Sequence, residues 1–184
     1  MRDLSLNILD IAQNSVAAGA KNVWIGIAVD TLKDVLTVTI KDNGCGMDED
    51  FLKNAADPFT TTRNTRKVGL GLPLFKDAAL ITGGSFDIKS EKNKGTLVAA
   101  AFILDSFDRM PLGDITETML TLVTGSKEID FTLNYKVDGR EFTFDTAEVK
   151  QTLGDVPLDT AEVVEFLRQL MNENTGEVNA GLII

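Results

Sequence analysis

Leu4, Ile8, Ile11, Ala12 and Val16 recur at helical spacing through residues 3–18, with Asn7, Asp10, Gln13 and Asn14 between them. The segment predicts an amphipathic helix that stops at Gly19. The period then changes. Val23, Ile25, Ile27 and Val29 share one parity in Lys21–Val29, and Leu36, Val38 and Ile40 do the same in Val35–Ile40. Two strands joined by the polar turn 30–34 predict an antiparallel hairpin with one face on the helix. The run Asp42-Asn43-Gly44-Cys45-Gly46-Met47-Asp48 cannot continue a strand, and residues 48–56 fit a short helix. Residues 57–68 lack periodicity and apolar content, which predicts a surface loop. A second helix is expected from Gly69-Leu70-Gly71-Leu72 to about Leu80, with Leu72, Phe75, Ala79 and Leu80 as its apolar stripe and Gly83-Gly84 as its end. Ser85–Ser90 and Thr96–Leu104 read as two further strands around the charged turn 91–95.

Helices segregated over a mostly antiparallel sheet give residues 1–104 an α+β fold, a two-layer α/β sandwich. Residues 105–184 read as a second, small α+β module. It contains a helix over Leu112–Val123, strands Ile129–Val137 and Glu141–Phe144 around Asp138-Gly139, and helices over Thr146–Leu153 and Thr160–Asn172. The buried side expected for the last helix is Val163, Val164, Phe166, Leu167 and Leu170. About 80 residues is near the lower limit for an independent core, so this module is expected to dock on the first or on a second subunit.

Charge divides the chain in the same way. Of 18 basic and 28 acidic side chains, residues 1–104 hold 12 and 12, and residues 105–184 hold 6 and 16. A net charge of −10 argues against nucleic acid and against an anionic membrane surface as partners. The acidic half would suit a basic protein partner, or would simply keep an appendage soluble. The chain has one cysteine, Cys45, and no histidine, so it offers no imidazole base, ligand or phosphoacceptor. No apolar run approaches a membrane span and no secretory leader is visible, which together predict a cytoplasmic protein.

Four features of residues 1–104 carry candidate chemistry. Asp10 and Asn14 stand one turn apart on one helix face, where they are either a plain solvent face or oxygen ligands for a hard cation. Asp42 ends a buried strand just before Gly44 and Gly46, as a capping turn or as an acceptor for the exocyclic amine of a flat, adenine-like ligand. Gly69-Leu70-Gly71-Leu72 opens a helix, where free N–H groups favour phosphate oxygens, but it is neither a Walker A loop nor a Rossmann fingerprint. The preceding loop adds Thr60, Thr61, Thr62, Arg63, Arg66 and Lys67 beside it. Gly95-Thr96 alone is a turn and a strand start.

In this order, the motifs resemble the ATP-binding domain of the GHKL superfamily, shared by gyrase, Hsp90, histidine kinases and MutL mismatch-repair proteins. The resemblance covers residues 1–104. Asp10-Ile11-Ala12-Gln13-Asn14-Ser15 matches the helical asparagine motif, which makes Asn14 the implied Mg²⁺ ligand. Asp42-Asn43-Gly44-Cys45-Gly46-Met47 matches the first glycine box, which makes Asp42 the implied acceptor of the adenine amine. Pro58-Phe59-Thr60-Thr61-Thr62-Arg63 resembles the histidine-kinase F box and the start of an ATP lid that continues through Lys67. Gly69, Leu70, Gly71 and Leu72 correspond to the second glycine box, and Lys94-Gly95-Thr96 to the last, with the Thr96 hydroxyl reaching adenine through water.

The resemblance implies an adenine nucleotide and Mg²⁺ as cofactors, a bacterial origin, and a histidine kinase-like ATPase or protein kinase domain that works with a protein partner. Asp10 stands where hydrolysing members often carry Glu, so it is the implied catalytic residue with a shorter reach. Ala17 replaces an acidic residue usual in MutL-like members. No segment reads as the phosphoacceptor-bearing dimerisation helices, so a self-contained histidine kinase is not expected. The alternative is a non-hydrolysing ATP switch, in which lid ordering remodels the contact made by residues 105–184.

Overall fold

The computed structural model describes residues 3–56 and 71–184. Helix α1 spans Leu4–Ala17 and is capped by Asp3, whose carboxylate accepts the Leu6 N–H at 3.1 Å. Strands β1 (Asn22–Asp30) and β2 (Val35–Asp42) form the expected antiparallel hairpin, with Ile25 opposite Ile40 and Ile27 opposite Val38. A single turn, α2 (Glu49–Leu52), is capped by Asp48. Helix α3 (Gly71–Ile81) is followed by the antiparallel strands β3 (Ser85–Glu91) and β4 (Gly95–Ile103).

The remaining elements are α4 (Ile115–Gly125), β5 (Asp130–Val137), β6 (Arg140–Asp145), α5 (Thr146–Leu153) and α6 (Ala161–Asn179). They build onto the same sheet, whose strand order is β3-β4-β2-β1-β5-β6. Strand β5 runs parallel to β1, with Ile25 beside Leu133 and Ile27 beside Tyr135. The other four pairings are antiparallel. The architecture is therefore α+β with a mostly antiparallel sheet.

Residues of one parity on the central strands, among them Ile25, Ile27, Val38, Ile40, Phe131 and Leu133, are buried under the helices. Helix α1 packs between α3 and α4 above the centre of the sheet. The core is continuous from Phe75 and Phe102 on one side to Leu167 and Met171 on the other. Each such fully buried side chain contributes about 1.5–3 kcal/mol relative to leaving it in water.

Three details depart from the periodicity. Leu80 is 48% exposed, because it lies about 100° around the helix from the buried Ala79 and so falls off the Leu72–Phe75–Ala79 stripe. Helix α6 continues to Asn179 rather than ending at Asn172, since Met171, Thr175 and Val178 prolong its buried row. That row runs Val163, Leu167, Met171, which leaves Phe166 on the outer face, 60% exposed. Among the described residues, no helix is long and apolar enough to cross a membrane.

Candidate functional site

Asp42 is the last residue of β2, and only 8% of it is exposed. A carboxylate so placed must be supplied with donors. The Ser15 hydroxyl donates to Oδ2 at 2.6 Å, while Oδ1 accepts the Gly44 N–H at 2.8 Å and the Thr96 N–H at 3.3 Å. An ionised carboxylate offers about four acceptor positions, so three donors leave one unfilled. Helix α1, strand β2 and strand β4 thus converge on one anion.

The turn after Asp42 is locked into its neighbours. Asn43 Oδ1 accepts the Lys21 and Asn22 N–H groups at 2.8 and 2.9 Å, pinning the turn to the start of β1. The Cys45 N–H donates to Ala18 O at 2.9 Å, and the Asn93 N–H donates to Cys45 O at 2.7 Å. Gly46 (φ 61°) and Gly95 (φ 103°) are in the left-handed region, and a Cβ on either would overlap backbone, at Glu91 O and at Asp42 O respectively. Both glycines are needed for the close approach of the 43–47 and 91–96 turns.

Ser90 completes the arrangement. Its hydroxyl accepts the Met47 N–H at 2.9 Å, donates to Gly95 O at 3.0 Å and lies 2.9 Å from Thr96 Oγ1. With the Ser90 proton on Gly95 O, the Thr96 hydroxyl must donate to Ser90. Its own lone pairs then remain available as acceptors.

These groups border one pocket. Asn14, Ser15, Asp42 and Thr96 are its polar lining, and Ile11, Ala18, Ile40, Met47, Leu72 and Val98 its apolar lining, with Gly46 between them. An apolar cleft with a few convergent polar groups suits a flat heteroaromatic ring. The structure therefore brings together Asn14, Asp42, Gly46, Met47, Leu72 and Thr96, with Gly44 bound to Asp42. Gly71 is the first residue of α3, and a Cβ there would overlap Asp10 Oδ2, so the Asp10 carboxylate lies against the α3 N-terminus. Asp10 itself does not line the pocket. Phe59, Thr61, Thr62, Arg63, Lys67, Gly69 and Leu70 lie outside the described residues.

The first turn of α3 carries no acidic residue, and its dipole with the N–H groups of Gly71 and Leu72 favours an anion, Pro73 having none to give. Asp10 already satisfies part of that preference. Phosphates placed there would need a cation between them and Asp10, and the Asn14 oxygen is one helical turn from Asp10 on the same side of α1. Among the described residues no group of three or more His, Cys, Asp or Glu could hold a metal unaided. That donor set fits Mg²⁺, which takes one or two protein oxygens and completes its shell with phosphates and water.

Ser15 and Ser90 are functional candidates that the sequence motifs alone do not single out. Ser15 had a usable signal, since it falls on the buried arc of α1 with Ile8 and Ile11, where a hydroxyl requires a partner. Ser90 had none, because its role depends on the pairing of β3 with β4 and on the position of the Met47 turn.

Comparison with known proteins shows the family and the fold. The family described as "Histidine kinase-, DNA gyrase B-, and HSP90-like ATPase" matches residues 1–106. A putative sensor protein of Shewanella frigidimarina is 36% identical over 104 residues, covering 55% of this chain and 16% of that protein. Sporulation kinase D of Bacillus subtilis is 32% identical over 91 residues, 50% of this chain and 18% of that one. The match thus spans under a fifth of either relative. The ADP complex of the Aquifex aeolicus MutL ATPase domain shares the fold, with a TM-score of 0.52 at 15% identity over 92% of this chain and 88% of that domain. With the family matched over more than half its length, this chain belongs to the histidine kinase-, gyrase- and Hsp90-like ATPases.

Proposed function

We propose that this chain binds Mg-ATP in the pocket between α1, β2, β4 and α3, and that it acts with a protein partner as a histidine kinase-like ATPase or phosphotransferase. The observation that carries the reading is the Asp42 carboxylate, which borders an apolar cleft with three donors in place and one acceptor position unfilled. An exocyclic amine fills that position; an oxo group in its place would face a negative charge.

Asn14 would be the protein ligand to Mg²⁺, whose charge would offset that of the phosphates. The chain's own groups do the rest. Thr96 accepts from the ring through water, and the first-turn N–H groups of α3 hold phosphate oxygens. Asp10, beside that turn, orients the attacking water or an acceptor group brought by the partner. Catalysis of this kind consists of positioning and electrostatic stabilisation, with no covalent intermediate on this chain.

One feature favours the switch reading as a second possibility. The Leu4 and Ser5 N–H groups donate to Pro111 O and Leu112 O at 2.9 and 2.8 Å, so the helix bearing Asp10 and Asn14 is tied directly to the acidic half. Incubation with γ-labelled ATP, Mg²⁺ and candidate partner proteins separates the two. Released phosphate or a labelled partner is expected for the enzyme, whereas binding with neither would leave only the switch.

A further inference from the structure

We infer that Asn7 is a positioning residue for Asp10, holding its carboxylate in the orientation that a bound triphosphate requires. Asn7 is fully buried on α1, at 0% exposure, and neither its Nδ2 nor its Oδ1 has a hydrogen-bond partner. A buried carboxamide without partners costs more than an apolar residue of the same size would, so its presence in this core requires a use.

Its place on the helix supplies one. Asn7 precedes Asp10 by three residues, Ile11 by four and Asn14 by seven, so the three polar groups form a single stripe along α1. The direction of the stripe follows from the contacts around it. Asp10 Oδ2 lies against Gly71 at the start of α3, and Ile11 and Asn14 line the pocket. The opposite flank of α1 faces α4, where the Thr118 hydroxyl donates to Ser5 O and Gly113 abuts Ser5 and Asp3. Asn7 is thus on the flank toward α3, one turn beneath Asp10 and shielded from solvent.

An ionised Asp accepts hydrogen bonds only, and the Asn7 amide has two N–H groups to give. Without nucleotide the structure pairs neither amide group; in the proposed role a bond from Nδ2 to the Asp10 carboxylate, direct or through one water, forms when a triphosphate is bound and fixes the side chain at its root. Aspartate is a methylene shorter than glutamate, so its reach depends on being held in one rotamer. This role rests on the nucleotide reading above and extends it to a residue that borders no part of the pocket.

The test uses the full chain, calorimetric titration with a non-hydrolysable ATP analogue and with ADP, both with Mg²⁺, and thermal melting. In Asn7→Leu the unpaired amide is gone, so the melting temperature without nucleotide is expected to rise by about 2–6 °C. Affinity for the triphosphate is expected to fall about tenfold while that for ADP changes less than twofold, since the contact acts only where the third phosphate lies. In an Asp10→Asn background the same substitution should produce no further loss. Asn7→Ala, which leaves space rather than filling it, serves if leucine is not accommodated.

Unchanged triphosphate affinity in both variants overturns the inference, as does an equal loss for ADP or an undiminished loss in the Asp10→Asn background. If the unaltered chain binds neither nucleotide, the nucleotide reading itself fails and this inference falls with it; the unaltered chain's titration tells the two failures apart.

Discussion

A carboxylate at the end of a buried strand is stable only if its acceptor positions are filled, and Asp42 has all but one filled from within the fold. Residue by residue, that incomplete shell is what distinguishes a ligand site from a capped turn. Asn14 is a simpler case, an exposed side chain lining the pocket with no side-chain hydrogen bond among the described residues. If it is an oxygen ligand to Mg²⁺, Asn14→Ala should weaken ATP binding about tenfold with Mg²⁺ present and leave affinity in EDTA unchanged, measured by calorimetry. An equal loss in EDTA would remove the metal role. Asp42 and Asn14 were legible in the sequence because each ends or punctuates a periodic segment. Ser90 was not, because which turn packs over β3 is decided by strand pairing rather than by anything local to its sequence.

Among the elements, α1 carries Asn14 and Ser15 of the pocket lining and is held at both ends. Its C-terminal end meets the 43–47 turn through Ala18 and Cys45, and its N-terminal end meets the 111–113 segment through Leu4 and Ser5. Gly113, at φ 79°, is the tight point of the second contact, since a Cβ there would come 2.6 Å from Asp3 Cγ and 2.7 Å from Ser5 Oγ. Gly113→Ala is therefore expected to destabilise the fold by about 2 kcal/mol, from the strained backbone and the displaced helix cap. A shift of the urea midpoint at constant slope would record it, and an unmoved midpoint would contradict it.

The docking of α6 on β5 can be read through Tyr135, the only tyrosine in the chain, whose hydroxyl donates to Asn179 Oδ1 at 2.9 Å. Burial raises its pKa above the ordinary value of about 10. The neutral form is favoured in the folded state. Its contribution is whole below about pH 10 and is lost as pH rises through the folded pKa. Tyrosinate absorbance should accordingly titrate later in the native protein than in urea, and Tyr135→Phe should flatten the alkaline loss of stability. Coincident native and denatured titrations would show that α6 does not seal this position.

At the level of the whole molecule, the acidic half is part of the sheet. The strands of residues 105–184 were visible from their alternation, but their partner was not. A parallel pairing across about 100 residues of chain leaves no local signature, and β1 shows only that it is apolar on one face. The continuous core has a consequence for shortening the chain. A fragment of residues 1–106 would expose the β1 edge and the apolar groups now covered by Phe131, Leu133 and α4. It is expected to melt without a cooperative transition or to self-associate, by circular dichroism and light scattering. A monomeric fragment with a sharp melt would show that the first four strands are sufficient.

The uneven spread of charge is compatible with the proposed polyphosphate site in a chain of net charge −10. Of its 28 acidic side chains, 16 lie after residue 104, and the only carboxylate bordering the pocket among the described residues is Asp42, which in the proposed role accepts from an amine. Discrimination between purines follows from that one group. Calorimetric titration of the full chain with Mg-ATP and with Mg-GTP, repeated for Asp42→Asn, measures it directly. Binding of ATP is expected, with none or at least about tenfold less of GTP, and with loss of the preference in Asp42→Asn. Equal affinity for the two nucleotides, or an unchanged preference in the variant, would contradict it.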